Sequence, residues 1–228
     1  ALRINYFGCM KMLELAHECK NLEVFTHVST AYVNCNRPGG LIEEQLYDLG
    51  MDVDETVKRL MAMNPQEVEQ QEKKLIGNFP NTYTFTKNLA EKSLFKKKGN
   101  LQCVLFRPSI IAASAEEPFP GWTDSLSAAG GLTLMCSLGL INYIKVQDGG
   151  KNKFDMVPVD IVSNGIIVAT ANAGSKAGNE LDVYNCGSSV ENPISMVQYK
   201  DLVTRANKFF SFNKKVFPMN VEMIENEA

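Results

Sequence analysis

The segment NTYTFTKNLAEK contains a tyrosine and a lysine, four residues apart, that could together donate and accept a proton. Tyr83 and Lys87 would project from one face of a helix, because positions i and i+4 are neighbours on a helical surface. An ammonium beside a phenol favours the phenolate form, so the tyrosine could exchange a proton near neutral pH. The same spacing also occurs by chance on solvated helical faces, and the pair alone does not distinguish the two interpretations.

The segment HVSTAY offers hydroxyl groups at a position where they could act with this pair. Val24, Phe25 and Val28 predict a short buried strand, and Ser29 and Thr30 follow directly at its end. Open α/β sheets bind their ligands outside the carboxyl ends of the strands. The order of hydroxyl, tyrosine and lysine along the chain therefore favours chemistry over a solvated face.

The other predicted elements indicate an α/β fold. Strands of continuous apolar residues, separated by helices, predict parallel pairing with both faces of the sheet covered. Two more strands are expected within residues 101–114 and 181–187. Residues 34–80 are too long for an ordinary loop and predict an inserted helical pair. The expected helices are residues 1–20, 54–63, 66–76, 81–98, 158–172 and 195–210.

Composition excludes several classes of partner. The net charge of −3 gives no basic footprint for nucleic acid, so we expect none to bind. The six cysteines have no Cys-x-x-Cys spacing and there are only two histidines, so we expect no metal site. No run approaches the roughly 18 apolar residues of a membrane-spanning helix, and no signal peptide is expected.

Several motifs together resemble the extended branch of the short-chain dehydrogenase/reductase superfamily. INYFGCMKMLELA, which contains Asn5, resembles its helix before the hydroxyl-bearing strand. FRPSIIAAS resembles its Arg-Pro strand end, and VPVDIVSNGIIVA resembles its later helix. The segment EPFPGWTDS is a specific marker of one family within that branch, the alcohol-forming fatty acyl-CoA reductases. The similarity runs from Asn5 to about Pro193.

This resemblance implies a role for each matched residue. Tyr83 would be the general acid, and Lys87 would hold the nicotinamide ribose and favour the Tyr83 phenolate. A strand-end hydroxyl would bind the same substrate oxygen, with Thr30 preferred over Ser29. Asn5 would bend its helix or relay protons, or would be a structural amide. The residues implied to line the nicotinamide pocket are Arg107, Pro108, Ser109 and Ile110.

The resemblance also implies the reaction and its setting. NADPH would reduce a long-chain acyl-CoA to a fatty alcohol through an aldehyde. A peroxisomal or endoplasmic reticulum membrane location, on the cytosolic face, would depend on segments outside this chain. Another oxidoreductase or epimerase of the extended branch, acting on a thioester, sterol or nucleotide sugar, is an alternative, as is a non-catalytic fragment.

The glycine-rich turn that grips the cofactor pyrophosphate in this superfamily is missing. None of the 16 glycines has Gly-x-Gly-x-x-Gly spacing between a strand and a helix. We therefore expect residues 1–193 to be the C-terminal portion of a Rossmann-type reductase domain, with 34–80 inserted, in a fragment of a longer chain or a short gene product. Residues 194–228 are expected to form a helical extension and a loosely ordered tail.

Three residues outside the core pattern have two interpretations each. Asp160, at a predicted helix start, is expected to cap the helix and anchor a loop, with a substrate-side role as the alternative. Phe119 and Trp122 could line an acyl channel or could pack a rigid loop.

Overall fold

A computed structural model describes residues 1–176, 180–209 and 217–225, and it contains a parallel sheet of three strands. The strands lie in the order β1 (Phe25–Val28), β2 (Cys103–Pro108) and β6 (Leu181–Cys186). Every residue of the central strand β2 is buried, which agrees with its apolar run over residues 103–106. The three strands predicted from the sequence and their parallel pairing are confirmed.

Four α-helices precede strand β2 in the chain, one before β1 and three between β1 and β2. The predicted inserted helical pair is present, and each of its helices begins at a capping side chain, Asp52 or Asn64. The first predicted helix is divided, because a π-helical segment, Arg3–Gly8, precedes α1. The helices are α1 (Cys9–Glu18), α2 (Val53–Ala62), α3 (Pro65–Ile76) and α4 (Thr82–Lys97).

Helix α4 is held firmly in the core of this unit. Its Leu89 and Leu94 are fully buried and belong to one apolar cluster with Leu13 of α1 and Leu105 of β2. Burying a leucine side chain stabilises the fold by about 1.5–3 kcal/mol. The side chains of α4 are therefore presented to the sheet in a fixed register.

The chain divides into two compact units, each made of two separate stretches of sequence, while the domain boundary expected at residue 193 stays a prediction. The first unit comprises Ala1–Pro108 and Gly165–Cys186, and the second comprises Ser109–Asn164 and Gly187–Ala228. The chain leaves the first unit after Pro108 and re-enters it at Gly165, which leads to strand β6. Helix α6 (Val159–Gly174) contains the boundary at Gly165.

The second unit contains two small parallel sheets. Its strands pair as β3 (Ile110–Ala112) with β5 (Met156–Pro158), and β4 (Tyr143–Val146) with β7 (Glu222–Glu225). Helices α5 (Ala128–Ser137) and α7 (Met196–Phe209) share an apolar cluster that includes Cys136 and Tyr199.

Part of the segment for which the sequence predicts a loosely ordered tail, residues 217–225, is described and contains a short strand. Strand β7 is ordered by its hydrogen bonds to β4, and Val221 beside it is buried. Residues 210–216 and 226–228 of the expected tail lie outside the described residues. Within the described part of the chain, no helix is both long and apolar enough to cross a membrane.

Candidate active site

The first turn of α4 carries Tyr83. Asn81 caps the helix, since its Oδ1 accepts a hydrogen bond of 2.9 Å from the backbone N–H of Thr84. Tyr83 follows two residues after the cap and is 47% exposed. The buried part of α4 thus fixes the backbone of Tyr83, while its phenol remains accessible.

Lys87 joins this face of α4 to the end of β1. Its Nζ donates a hydrogen bond of 2.9 Å to the carbonyl oxygen of Val28, the residue directly before Ser29. Burial lowers the pKa of the Lys87 ammonium, although the neighbouring Cys9 and Glu91 act in the opposite direction. The structure therefore brings the lysine to the strand end that carries the predicted hydroxyls.

The two hydroxyls at this strand end have different surroundings. Thr30 Oγ1 accepts a hydrogen bond of 3.3 Å from the backbone N–H of Tyr32 and caps the 3₁₀ helix Ala31–Asn34. The Thr30 hydroxyl proton is not used in that bond. The Ser29 hydroxyl is buried and has no hydrogen-bond partner among the described residues. Both residues are buried and each keeps an unused hydroxyl proton in these contacts, and the preference for Thr30 stays a prediction.

A second contact fixes the segment after β1 against α4. Asn88 Nδ2 donates hydrogen bonds to the carbonyl oxygen of Val33, at 2.7 Å, and to Asn34 Oδ1, at 3.3 Å. Asn88 follows Lys87, so two successive residues of α4 bind the two sides of the strand-end turn.

Asn5 contacts α4 close to Tyr83. Its Nδ2 donates a hydrogen bond of 3.1 Å to Thr86 Oγ1, and Asn5 itself lies in the π-helical segment Arg3–Gly8. Single π-helical turns inside helices often occur at functional sites. Asn5 thus lies in an irregular helical segment, and the choice among helix bending, proton relay and structural amide stays a prediction.

Arg107 forms a buried ion pair that sequence reasoning missed. Its Nε and one terminal nitrogen donate to the two carboxylate oxygens of Glu91, at 2.9 and 2.6 Å, and its other terminal nitrogen donates to the Gln45 carbonyl. Both paired side chains are 1% exposed. The Arg107 guanidinium is thus engaged with α4 and the insert. Tyr83, Lys87 and Glu91 are spaced four residues apart, so the sequence does indicate that Glu91 lies on the same face of the helix as the predicted pair.

A buried thiol and imidazole lie beside Lys87. Cys9 Sγ is 3.4 Å from His27 Nδ1, and His27 Nε2 has no partner among the described residues. Burial raises the pKa of Cys9 to about 11. Burial, assisted by the Lys87 ammonium, lowers the pKa of His27 to about 4. Both groups are therefore neutral at physiological pH.

The remaining predicted cofactor residues follow the end of β2. Pro108 is the last residue of β2 and pairs in register with Cys186. Ser109 and Ile110 belong to the second unit, where Ser109 is buried and the Ile110 N–H donates to the Asp155 carbonyl at 3.2 Å. Their part in a nicotinamide pocket stays a prediction.

Asp160 anchors the loop that contains the EPFPGWTDS marker. Its carboxylate accepts backbone hydrogen bonds from Ala115, Glu116 and Glu117 at 3.0, 2.8 and 3.1 Å. These N–H groups hold the pKa of the Asp160 carboxyl well below its ordinary range. The expected loop-anchoring role is confirmed.

Ser114 closes the same loop. Its Oγ donates to the Phe119 carbonyl at 2.6 Å and accepts from the Trp122 N–H at 3.1 Å. The Phe119 side chain remains exposed. Packing alone therefore does not account for this aromatic residue, and a place in an acyl channel stays a prediction.

The residues of the first unit suit one half of a nicotinamide dinucleotide. At the end of β1, Ser29 offers a buried hydroxyl without a partner among the described residues and Lys87 offers an ammonium, and Tyr83 carries an exposed phenol one turn before Lys87 on α4. The pyrophosphate half would need backbone amides of a glycine-rich turn, which the sequence does not supply. The fit is therefore to the nicotinamide and its ribose.

The fold is of the Rossmann type and is shared with solved structures of an epimerase and of a reductase domain. The chain aligns with a solved structure of UDP-glucose 4-epimerase at a TM-score of 0.59 and 19% identity, over 98% of this chain and 58% of that one. A thiolation-reductase di-domain from an archaeal non-ribosomal peptide synthetase aligns at 0.59 and 18% identity, over 98% and 39%. These identities establish the fold alone.

The chain belongs to the family of NAD-binding domains described as male sterility protein, whose model matches residues 1–166. Among its relatives, fatty acyl-CoA reductase 1 from Gallus gallus is 38% identical over 206 residues. That alignment covers 90% of this chain but 39% of the relative, so the chain spans about two fifths of the curated protein that it matches. The resemblance to fatty acyl-CoA reductases is confirmed.

Proposed function

We propose that the chain supplies the proton-handling half of an NADPH-dependent reductase that converts long-chain fatty acyl-CoA to fatty alcohol. The observation that carries this proposal is the hydrogen bond from Lys87 to the Val28 carbonyl, because it joins the Tyr83 face of α4 to the strand-end hydroxyls. The similarity to fatty acyl-CoA reductase 1 supports an acyl-CoA thioester as the substrate.

Tyr83 would act twice in this reaction. Two molecules of the nicotinamide cofactor, bound one after the other, would each supply one hydride, one for each of the two reductions. In the first, Tyr83 protonates the thioester oxygen and a hemithioacetal forms. Its carbon–sulfur bond then breaks, its hydroxyl proton passes to the CoA sulfur, and an aldehyde remains. In the second, Tyr83, reprotonated from solvent, protonates the aldehyde oxygen to give the alcohol.

The neighbouring groups would prepare Tyr83 for this work. The Lys87 ammonium would stabilise the phenolate left after each proton transfer. A hydroxyl from Thr30 or Ser29 would donate to the substrate oxygen as negative charge develops there. Asn88 and Asn81 hold the two backbone segments in place, through Val33 and Thr84 respectively.

The test is Tyr83→Phe with Tyr143→Phe as a control. Tyr143 is also exposed, at 62%, but lies in the second unit. Turnover of hexadecanoyl-CoA is measured by the oxidation of NADPH. The assay is carried out with the 228-residue chain and with a longer chain of the same length as its curated relatives. We expect Tyr83→Phe to reduce turnover by about 10²–10⁴-fold while cofactor affinity is kept. Tyr143→Phe should have no effect.

Each alternative has its own outcome in this experiment. Full activity in Tyr83→Phe would show that another residue is the acid. NADPH oxidation with a sterol or nucleotide sugar in place of acyl-CoA would favour another reductase of the extended branch. Absence of turnover in both chain lengths would leave a non-catalytic protein. The proposal includes the peroxisomal or endoplasmic reticulum membrane location, which imaging of the tagged protein would test.

A further inference from the structure

The inserted helices and the start of α4 enclose an apolar cleft. Its volume is about 260 Å³. Its floor is formed by buried side chains, Leu75 and Ile76 of α3 and Phe85 of α4. The other lining residues are Ala1, Leu2, Leu60, Val68, Glu72, Thr82 and Thr86.

The cleft offers little to a polar ligand. The Thr86 hydroxyl already donates to the Thr82 carbonyl at 2.7 Å and accepts from Asn5. Glu72 is exposed to solvent, where its charge is hydrated. An apolar segment would therefore gain from entering the cleft, whereas a charged or hydrogen-bonding group would lose its water.

The position of the cleft relates it to Tyr83. Thr82 precedes Tyr83 directly, and Thr86 lies one turn further along α4. A ligand whose reacting carbonyl is at Tyr83 could therefore place an attached apolar tail between α4 and α3. A cavity of about 150 Å³ lined by similar residues accommodates benzene, so by proportion this one has room for roughly ten carbon atoms.

We propose that the inserted helical pair forms the acyl-chain site, in which this cleft holds the methylenes nearest the thioester. The identity of the tail as part of a reacting thioester rests on the proposed function. The cleft itself, as a binding site for a long alkyl chain, rests on the lining residues alone. Since the tail is longer than the cleft, its far end would extend past Val68, which lies half-buried on α3.

Direct binding tests this assignment without any nicotinamide. A fluorescent long-chain fatty acid is bound to the 228-residue chain and displaced by hexadecanoyl-CoA or by butanoyl-CoA. Val68→Trp fills the cleft, and Gln70→Trp places the same indole on an exposed position of α3 that does not line it. Each methylene returned to water costs about fourfold in affinity, so exclusion of two costs roughly 15-fold.

We expect Val68→Trp to weaken hexadecanoyl-CoA at least that much and to leave butanoyl-CoA unchanged. Gln70→Trp should bind both as the parent does. If the indole disturbs folding, as circular dichroism would show, Val68→Asp with Gln70→Asp as control replaces it, because a half-exposed carboxylate is tolerated while it opposes an alkyl chain.

The outcomes separate this inference from the proposed function. Equal binding of hexadecanoyl-CoA by the Val68 variants and their Gln70 controls would overturn the cleft assignment, even if the reductase reaction is demonstrated. Tail-dependent binding that only the Val68 variants lose would support the cleft, even if no turnover occurs.

Discussion

Each half of α4 carries an ionisable group that binds a strand of the sheet. The group in one half is fully paired with an opposite charge, whereas the group in the other half is not. In the second half, Glu91 receives two hydrogen bonds from Arg107, and both side chains are 1% exposed. In the first half, Lys87 donates to a single main-chain carbonyl, and Tyr83 is 47% exposed. A saturated pair holds the fold together, whereas groups with spare hydrogen-bonding capacity and access to solvent are available for chemistry.

The largest effect should come from breaking the saturated pair. Glu91→Ala leaves the Arg107 guanidinium buried without its carboxylate, and removal of one partner of a buried pair costs about 3–5 kcal/mol. We expect the free energy of unfolding, measured by urea denaturation, to fall by that amount. Tyr83→Phe should change it by less than about 0.5 kcal/mol, because it removes only an exposed hydroxyl.

A double variant distinguishes charge from packing. Glu91→Leu combined with Arg107→Leu removes both charges, and replacing a buried pair by apolar residues is often neutral. We therefore expect the double variant to recover most of the stability that Glu91→Ala loses. A loss below about 1 kcal/mol in the single variant would mean that the pair is not structural.

This pair also shows where sequence reasoning reached its limit. The strand end at Arg107 and the helix carrying Tyr83, Lys87 and Glu91 follow from the apolar pattern. Which side chain of α4 meets which residue of β2 does not, because that depends on the helix rotation set by the core around Leu89. The resemblance placed the Arg107 side chain in a nicotinamide pocket, while the structure directs its guanidinium to Glu91.

Short elements were missed for a different reason. Strands of three or four residues, such as β3 and β7, are too short for a periodic pattern. Helix α5 contains the pair Gly130-Gly131, which favours a turn. Both glycines lie in the helix, and Gly131 must be glycine because a side chain there would collide with the Leu126 carbonyl. The local sequence alone therefore does not predict that this pair of glycines lies in a helix.

A second prediction concerns the neutral imidazole at the Lys87 end. His27 has a pKa of about 4 in the folded chain against 6.5 ordinarily, so the unfolded chain takes up this proton first. The contribution of His27 to the free energy of unfolding is therefore highest above about pH 6.5, where His27 is neutral in both states. It falls as the pH is lowered toward 4, because the unfolded chain binds the proton more tightly. We expect a loss of about 2–3 kcal/mol over that window.

Comparison of the two histidines isolates this effect. His27→Gln should flatten the dependence of the unfolding free energy on pH between 6.5 and 4, whereas His17→Gln, on the exposed side of α1, should keep the parent's slope. The carboxylates with lowered pKa values, including Asp160, lose their contribution only at lower pH. Identical slopes in both variants would show that His27 is not held neutral by burial.

The smallest effect compares two helix caps of the same type. Asn81 caps α4 two residues before Tyr83, and Asn64 caps α3, each through an Oδ1 that accepts a backbone N–H at 2.9 Å. Replacing either by alanine should cost about 1 kcal/mol of unfolding free energy.

Under the proposed function the two variants should differ in turnover, because only Asn81 orients the turn that presents the acid. We expect Asn81→Ala to slow butanoyl-CoA reduction by about tenfold, since small misplacements of a catalytic group have large kinetic costs. Asn64→Ala should leave the rate for butanoyl-CoA unchanged. Equal turnover in the two variants, at equal loss of stability, would mean that the cap does no more for Tyr83 than begin a helix.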